Sequence, residues 1–196
     1  MLLLISGASG AGKTSVRQTI AGELAPDVEA VELRHLDTVP AAPDVAWRQR
    51  MAERVVARSR ELERQGRHLL LAGDPVAPGE VLAAPSATSV DIAVCLLDVS
   101  ERAQRERLRR RGDPEELLPH HVAFADWLRR HASDPRHMPH VLTTGGWDAM
   151  QWSRLTTLSW QIPVIDGSSM SIAEAGHAAL QWIRDAISGR APVFRR

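Results

Sequence analysis

An apolar pentapeptide, LLLIS from Leu2 to Ser6, runs directly into GASGAGKT from Gly7 to Thr14, and a helix-compatible stretch follows. The octapeptide is a complete G-x-x-x-x-G-K-[ST] phosphate loop in the strand-to-helix setting that gives the pattern its meaning. Gly7, Gly10 and Gly12 let the backbone turn its N–H groups inward with no Cβ in the way. With Ala8, Ser9, Ala11 and Ser15 they form an anion cradle completed by the N-terminus of the next helix. Lys13 supplies a compact charge able to reach β- and γ-phosphates, and the Thr14 hydroxyl is placed to ligate Mg²⁺.

Lys13 is also the only lysine among 24 basic residues. Arginine is a wide planar fork suited to bidentate pairing, whereas a phosphate loop closes around a point charge. The solitary lysine excludes a class as well. Guanine-reading GTPases use N-K-x-D or T-K-x-D, and no second lysine exists to build either. Nor is there an LSGGQ-like segment, and the chain is short for a motor or a hexameric ATPase.

At 196 residues the chain suits a single domain, 1–196. Hydrophobic residues make up 44%, charged residues 24%, and the formal net charge is zero. A neutral total favours a local anion site over a surface that tracks a nucleic-acid backbone, so no nucleic-acid partner is expected. No apolar run approaches membrane-spanning length, and Leu2 to Ile5 is too short for a secretion signal. A cytoplasmic protein without a membrane partner is the expectation. The single cysteine, Cys95, lies in the apolar run IAVCLLD and reads as a buried structural thiol.

Short apolar runs alternate with longer amphipathic ones, as in a parallel sheet with crossover helices. The runs predict strands over Leu2–Ser6, Ala30–Leu36, His68–Ala72, Ile92–Asp98 and Pro163–Asp166. Helices are predicted over Lys13–Leu24, Val45–Gln65, Pro78–Ala84, Glu101–Arg111 and Ile172–Ser188. The stretch 113–161 differs: it holds four of the six tryptophans, five of the eight histidines, and breakers at DPRHMPH and TTGGW. It reads as an inserted, partly helical cover, a lid that binds the acceptor and could mediate a homodimer.

On these residues the chain resembles the small P-loop kinases, among them gluconate, shikimate, uridine and adenylylsulfate kinases and chloramphenicol phosphotransferase. GASGAGKTS carries the first part of the resemblance. HLDT is similar to the strand-two aspartate that faces the acceptor hydroxyl in several of them. VCLLDVSERAQRERLRRRGD looks like strand four followed by an R-L-x-x-R helix leading to a lid, and IPVIDGSSMSIAEA like the last strand and the loop beside adenine. Together they cover roughly half of the chain; Asp113 to Gln161 matches none of these families. The resemblance implies a doubly wound five-stranded parallel sheet in the order 2-3-1-4-5, and transfer of the γ-phosphoryl of ATP, with Mg²⁺, to a small-molecule hydroxyl or phosphate.

It also places Arg107 and Arg111 toward nucleotide or lid, where guanidinium donors stabilise charge on the transferring phosphoryl group. Gly167 and Ser168 would border adenine. Asp37 would be a general base or positioning group for the acceptor, or part of the metal shell, but before Thr38 and Pro40 it is also an ordinary turn residue. Asp74, ending HLLLAGDP, could hold Mg²⁺ through water, but Asp-Pro is equally an ordinary turn. His120, His121, His131, His137 and His140 lack metal-site spacing. Trp127, Trp147, Trp152 and Trp160 read as core residues of the insertion or as pocket lining for a planar acceptor. Two rivals remain: a nucleoside or nucleotide kinase, of which a nucleotide acceptor with its own phosphate would use Arg34, Arg48 and Arg50, and an ATP-binding regulator with little or no turnover.

Overall fold

The structure, a computed structural model, describes residues 1–73, 77–137 and 149–196. Five parallel strands form one sheet: β1 (Leu2–Ser6), β2 (Val28–Val31), β3 (His68–Ala72), β4 (Ile92–Asp98) and β5 (Val164–Asp166), in the spatial order β2-β3-β1-β4-β5. The register places Leu4 between Leu71 and Val94, so β1 is paired on both edges. Strands covered on both faces carry continuous apolar runs, and alternate residues then face opposite layers. Leu2 and Leu4 point into a core with Leu69, Leu71, Val94 and Leu96; Leu3 and Ile5 point into the other, with Leu70, Cys95 and Leu97.

Among the described residues six helices pack around the sheet. The second layer contains α1 (Lys13–Leu24) and α6 (Ile172–Ile187), through Val16, Ile20, Ala179 and Ile183. The first contains α2 (Val45–Glu63), α3 (Pro78–Ala83) and α5 (Leu118–Ser133), through Met51, Val55, Val81, Trp127 and Leu128. The remaining helix, α4 (Glu101–Arg111), starts at Ser100, whose side chain accepts from the Ala103 N–H. It ends at Gly112, in the left-handed conformation at φ 90°. Among the described residues no helix is long and apolar enough to cross a membrane.

One part differs from the sequence expectation. Strand β2 spans Val28–Val31 rather than Ala30–Leu36, and Leu33–His35 form a single 3-10 turn. The His68 N–H donates to Asp27 O, setting the β2–β3 register two residues early. Past Val31 the ladder is interrupted because His35 Nδ1 accepts from the Glu32 N–H at 3.0 Å, drawing the backbone into a turn. In the described parts of 113–161 particular side chains reach the core while much of the segment is exposed. Trp127 is buried, Trp152 and Trp160 pack against the same cluster, and Arg129 donates to the Asp98 carboxylate at 2.7 Å and to Val99 O at 3.0 Å. Trp147 and His140 lie outside the described residues.

Candidate active site

The carboxyl ends of the strands surround a cavity of about 760 Å³ lined by Ser9, Gly10, Gly12, Lys13, Thr14 and Ser15 of the phosphate loop. Open α/β sheets present ligands at this edge. Two glycines show why the loop needs them. Gly12 caps α1 at φ 104°, a left-handed conformation that L side chains rarely adopt. At Gly7 a Cβ would lie 2.4 Å from Leu97 O, so the loop can approach β4 only without one. Ala8 and Ala11 are buried beneath the loop.

Lys13 is buried, and its Nζ donates to Gly7 O at 2.7 Å and Ala8 O at 3.0 Å. The ammonium is thus stored at the base of the loop, within one side chain's reach of any phosphate seated there. Helix α4 braces the loop from outside. Arg107 donates to Ala11 O (3.2 Å) and Gly167 O (2.7 Å), joining the phosphate loop to the turn after β5. Gln104, fully buried, donates to Ser9 O at 2.9 Å. Sequence reasoning missed Gln104, because a glutamine in an arginine-rich helix carries no motif. Arg107, Arg110 and Arg111 all line the cavity, and Arg111 is held by two 2.7 Å hydrogen bonds to Asp113.

The turn after β5 is closed on itself. Ser168 donates from its backbone N–H to Asp166 at 2.9 Å, and its hydroxyl accepts from the Ser100 N–H at 2.7 Å. Gly167 N–H donates to Asp98 O at 2.8 Å. Arg107 brings this turn to the loop, yet the cavity wall on that side is Ile172 rather than Gly167 or Ser168.

Across the cavity stands an acid that sequence reasoning also missed. Glu32, directly after β2, is buried and lines the cavity beside Leu33, Arg34, Val39, Ala72 and Gly73. The Thr14 hydroxyl donates to its carboxylate. Arg17 Nε approaches Oε1 at 3.4 Å and its Nη1 donates to Ala30 O at 3.3 Å, while Arg34 pairs with Oε2. Burial alone would raise the Glu32 pKa, but hydrogen bonds from Thr14 and Arg34 and the charges of Arg34 and Arg17 outweigh it and hold the carboxyl below its ordinary range. Glu32 is therefore a carboxylate at neutral pH.

Asp37 is not brought to the cavity lining. It lies beyond the 3-10 turn, half-exposed, where Oδ2 accepts from Arg54 at 2.6 Å and Oδ1 from the Thr38 N–H at 2.7 Å. Asp74 lies outside the described residues. Arg48 is buried in a pair with Glu80 (2.8 and 2.5 Å), and neither Arg48 nor Arg50 lines the cavity. No cluster of three acidic, histidine or cysteine side chains suited to a resident metal occurs among the described residues. His131 is buried between Trp127 and Trp160 and accepts from the Gly79 N–H at 3.0 Å.

Neither a protein-family model nor a curated protein matches the sequence. Solved structures do resemble it. An unliganded sugar kinase from Janibacter sp. HTCC2649 is 14% identical, covers 97% of this chain and 98% of its own, and superposes with a TM-score of 0.56. A gluconokinase from Sinorhizobium meliloti 1021 is 17% identical over 97% of both chains, with a TM-score of 0.49. A deoxyadenosine kinase from M. mycoides is 12% identical over 95% of this chain and 100% of its own, with a TM-score of 0.48. At these identities the first likeness speaks to the fold alone, and the all-parallel 2-3-1-4-5 sheet is the P-loop kinase fold.

Proposed function

We propose that the protein transfers the γ-phosphoryl group of ATP to the hydroxyl of a small molecule held against Glu32. One observation carries the reading: a complete phosphate loop with its lysine and a buried, ionised carboxylate face each other across a single cavity. Backbone N–H groups of the loop and the α1 N-terminus would hold the triphosphate, and Lys13 would leave Gly7 O and Ala8 O for the phosphate oxygens. Arg107, Arg110 and Arg111 stand on the α4 side, where charge spreads over the transferring group. The acceptor oxygen forms a bond to the γ-phosphorus as the bond to the β–γ bridging oxygen breaks. Glu32 takes the hydroxyl proton, and ADP departs.

The donor set fits a Mg²⁺ ion that arrives with the nucleotide. Thr14 offers a hard oxygen at the cavity with Glu32 hydrogen-bonded behind it, and the described residues form no self-sufficient metal cage. Thr14 would hold the ion, which would supply charge neutralisation of the phosphate oxygens. Phosphorylated product and ADP should form together when MgATP is supplied with a broad acceptor panel, followed by ADP release and ³¹P NMR. Tight ATP binding with no product from any acceptor would instead identify a nucleotide-binding regulator. The nucleotide-acceptor variant loses support, because of Arg34, Arg48 and Arg50 only Arg34 lines the cavity.

A further inference from the structure

We infer that Gln104 is a positioning residue of the phosphate loop: held between the loop and α5, it fixes the Ser9–Gly10 peptide so that the Gly10 N–H faces the cavity before a nucleotide arrives. The inference rests on the nucleotide-binding part of the phosphotransferase reading above and deepens it.

Gln104 and Leu108 are the buried residues of α4, and both lie against the loop. A Cβ on Gly10 would stand 3.3 Å from Gln104 Cγ and 3.2 Å from Leu108 Cγ. The Gln104 amide nitrogen carries two hydrogens and has two carbonyl acceptors, Ser9 O at 2.9 Å in the loop and His121 O at 3.1 Å in α5. Turning the amide over would set Oε1 against both carbonyl oxygens, so the two acceptors fix which way it faces. Oε1 is then left buried without a hydrogen-bond partner among the described residues, a cost that an apolar side chain of the same shape would avoid. What this polar side chain supplies in return is its pair of N–H donors.

The two acceptors are not equivalent. His121 lies inside α5, where helical N–H groups serve the backbone carbonyls, and α5 is itself fastened to Asp98 and Val99 by Arg129. Ser9 O has Gln104 as its one donor among the described residues. The α5 end is therefore the anchor, and the Ser9 carbonyl is what Gln104 holds. A trans peptide unit is planar, so the Gly10 N–H points opposite to the Ser9 C=O. Gln104 is fully buried and does not line the cavity, whereas Ser9 and Gly10 do. With the carbonyl turned to Gln104, the N–H is turned to the cavity, and it has no hydrogen-bond partner among the described residues. Glycine at this position tolerates either orientation of the peptide, and the flipped one would present a carbonyl oxygen to the phosphate. The side chain from α4 selects the orientation that donates, and a donor aimed in advance needs no reorganisation when the charge arrives.

The ¹⁵N–¹H resonances of Gly10, Gly12 and Thr14 are followed by NMR during titration with Mg²⁺ and a non-hydrolysable ATP analogue, beside calorimetry with the same analogue and melting of the ligand-free protein. In wild type all three amides should shift. Gln104→Met keeps length and shape without a donor. In it the Gly10 shift should fall by roughly half or more while Gly12 and Thr14 keep theirs, and affinity should weaken about tenfold with little change in melting temperature. Gln104→Leu gives the same reading should the methionine variant not fold. A Gly10 amide that does not respond in wild type, or a variant with wild-type affinity and a full Gly10 shift, overturns the proposal. Losses shared equally by the three amides, with a matching drop in melting temperature, mark a merely structural side chain and also overturn it. None of these readouts needs turnover. A Gly10 response lost in Gln104→Met, in a protein that phosphorylates nothing, leaves this inference standing and removes the kinase reading; product formation with an unaltered Gln104→Met does the reverse.

Discussion

The two halves of the cavity are built in different ways. On the phosphate-loop side eight consecutive residues make the cradle, and α4 braces them through Gln104 and Arg107 and adds Arg110 and Arg111 to the lining. On the side proposed for the acceptor, Glu32 follows β2, Arg17 comes from α1, and Thr14 reaches over from the phosphate loop. The first half is a local backbone shape; the second is an electrostatic arrangement that exists only when three segments meet. A site of the first kind tolerates little change inside its motif, and one of the second kind can be retuned by single side chains around a fixed acid.

The comparison can be broken most sharply at Lys13. Lys13→Arg should lose on the order of 10²–10³-fold in kcat, because the wide guanidinium cannot lie where the ammonium contacts Gly7 O and Ala8 O. Thermal unfolding should remain cooperative, and near-normal turnover would refute the point-charge argument.

A second effect lies away from the cavity, where α5 is fastened to α3. Burial, with a smaller contribution from His137, lowers the His131 pKa to about 4. The unfolded chain protonates this ring near its ordinary value of 6.5. Between these values the unfolded state binds a proton that the folded state refuses, so stability falls as pH drops from 6.5 to 4, by on the order of 3 kcal/mol. Denaturant titrations across that window should show the loss, and His131→Gln, which keeps an acceptor for Gly79 N–H, should flatten it. An unchanged slope in the variant would assign the acid sensitivity to other groups.

Smaller effects separate a glycine the fold needs from one it does not. Gly7→Ala forces a Cβ against backbone Leu97 O and should cost about 1–3 kcal/mol. Gly22, inside α1 with nothing within 4 Å of its Cβ direction, should gain about 0.5–1 kcal/mol as alanine. Melting temperatures of the two variants should move in opposite directions.

What could be read in advance follows from the same contrast. GASGAGKT names its own geometry and the strands of the central sheet declared themselves as apolar runs, while the strand order was legible only through the resemblance to the P-loop kinases. Arg107 was legible only through the R-L-x-x-R pattern, and its contacts with Ala11 O and Gly167 O add the reason. Glu32 was not, because apolar alternation carried the strand reading on to Leu36 and put Asp37 at its end. The structure ends the strand at Val31, since the His35 side chain captures the Glu32 N–H, and the acid at the cavity changes with that boundary. Trp127 suited a core or a pocket and His131 belonged to a histidine group without metal-site spacing; their burial against α3 and β4 could come only from tertiary packing.

The central claim, that Glu32 holds the acceptor, is tested most directly by comparing Glu32→Gln with Asp37→Asn at saturating MgATP on any acceptor that wild type phosphorylates. Glu32→Gln should lose on the order of 10²–10⁴-fold in kcat while nucleotide affinity changes little. Asp37→Asn breaks an exposed pair with Arg54 and should leave turnover nearly intact. The reverse outcome, Asp37→Asn inactive and Glu32→Gln active, would contradict the account and return the acceptor to Asp37.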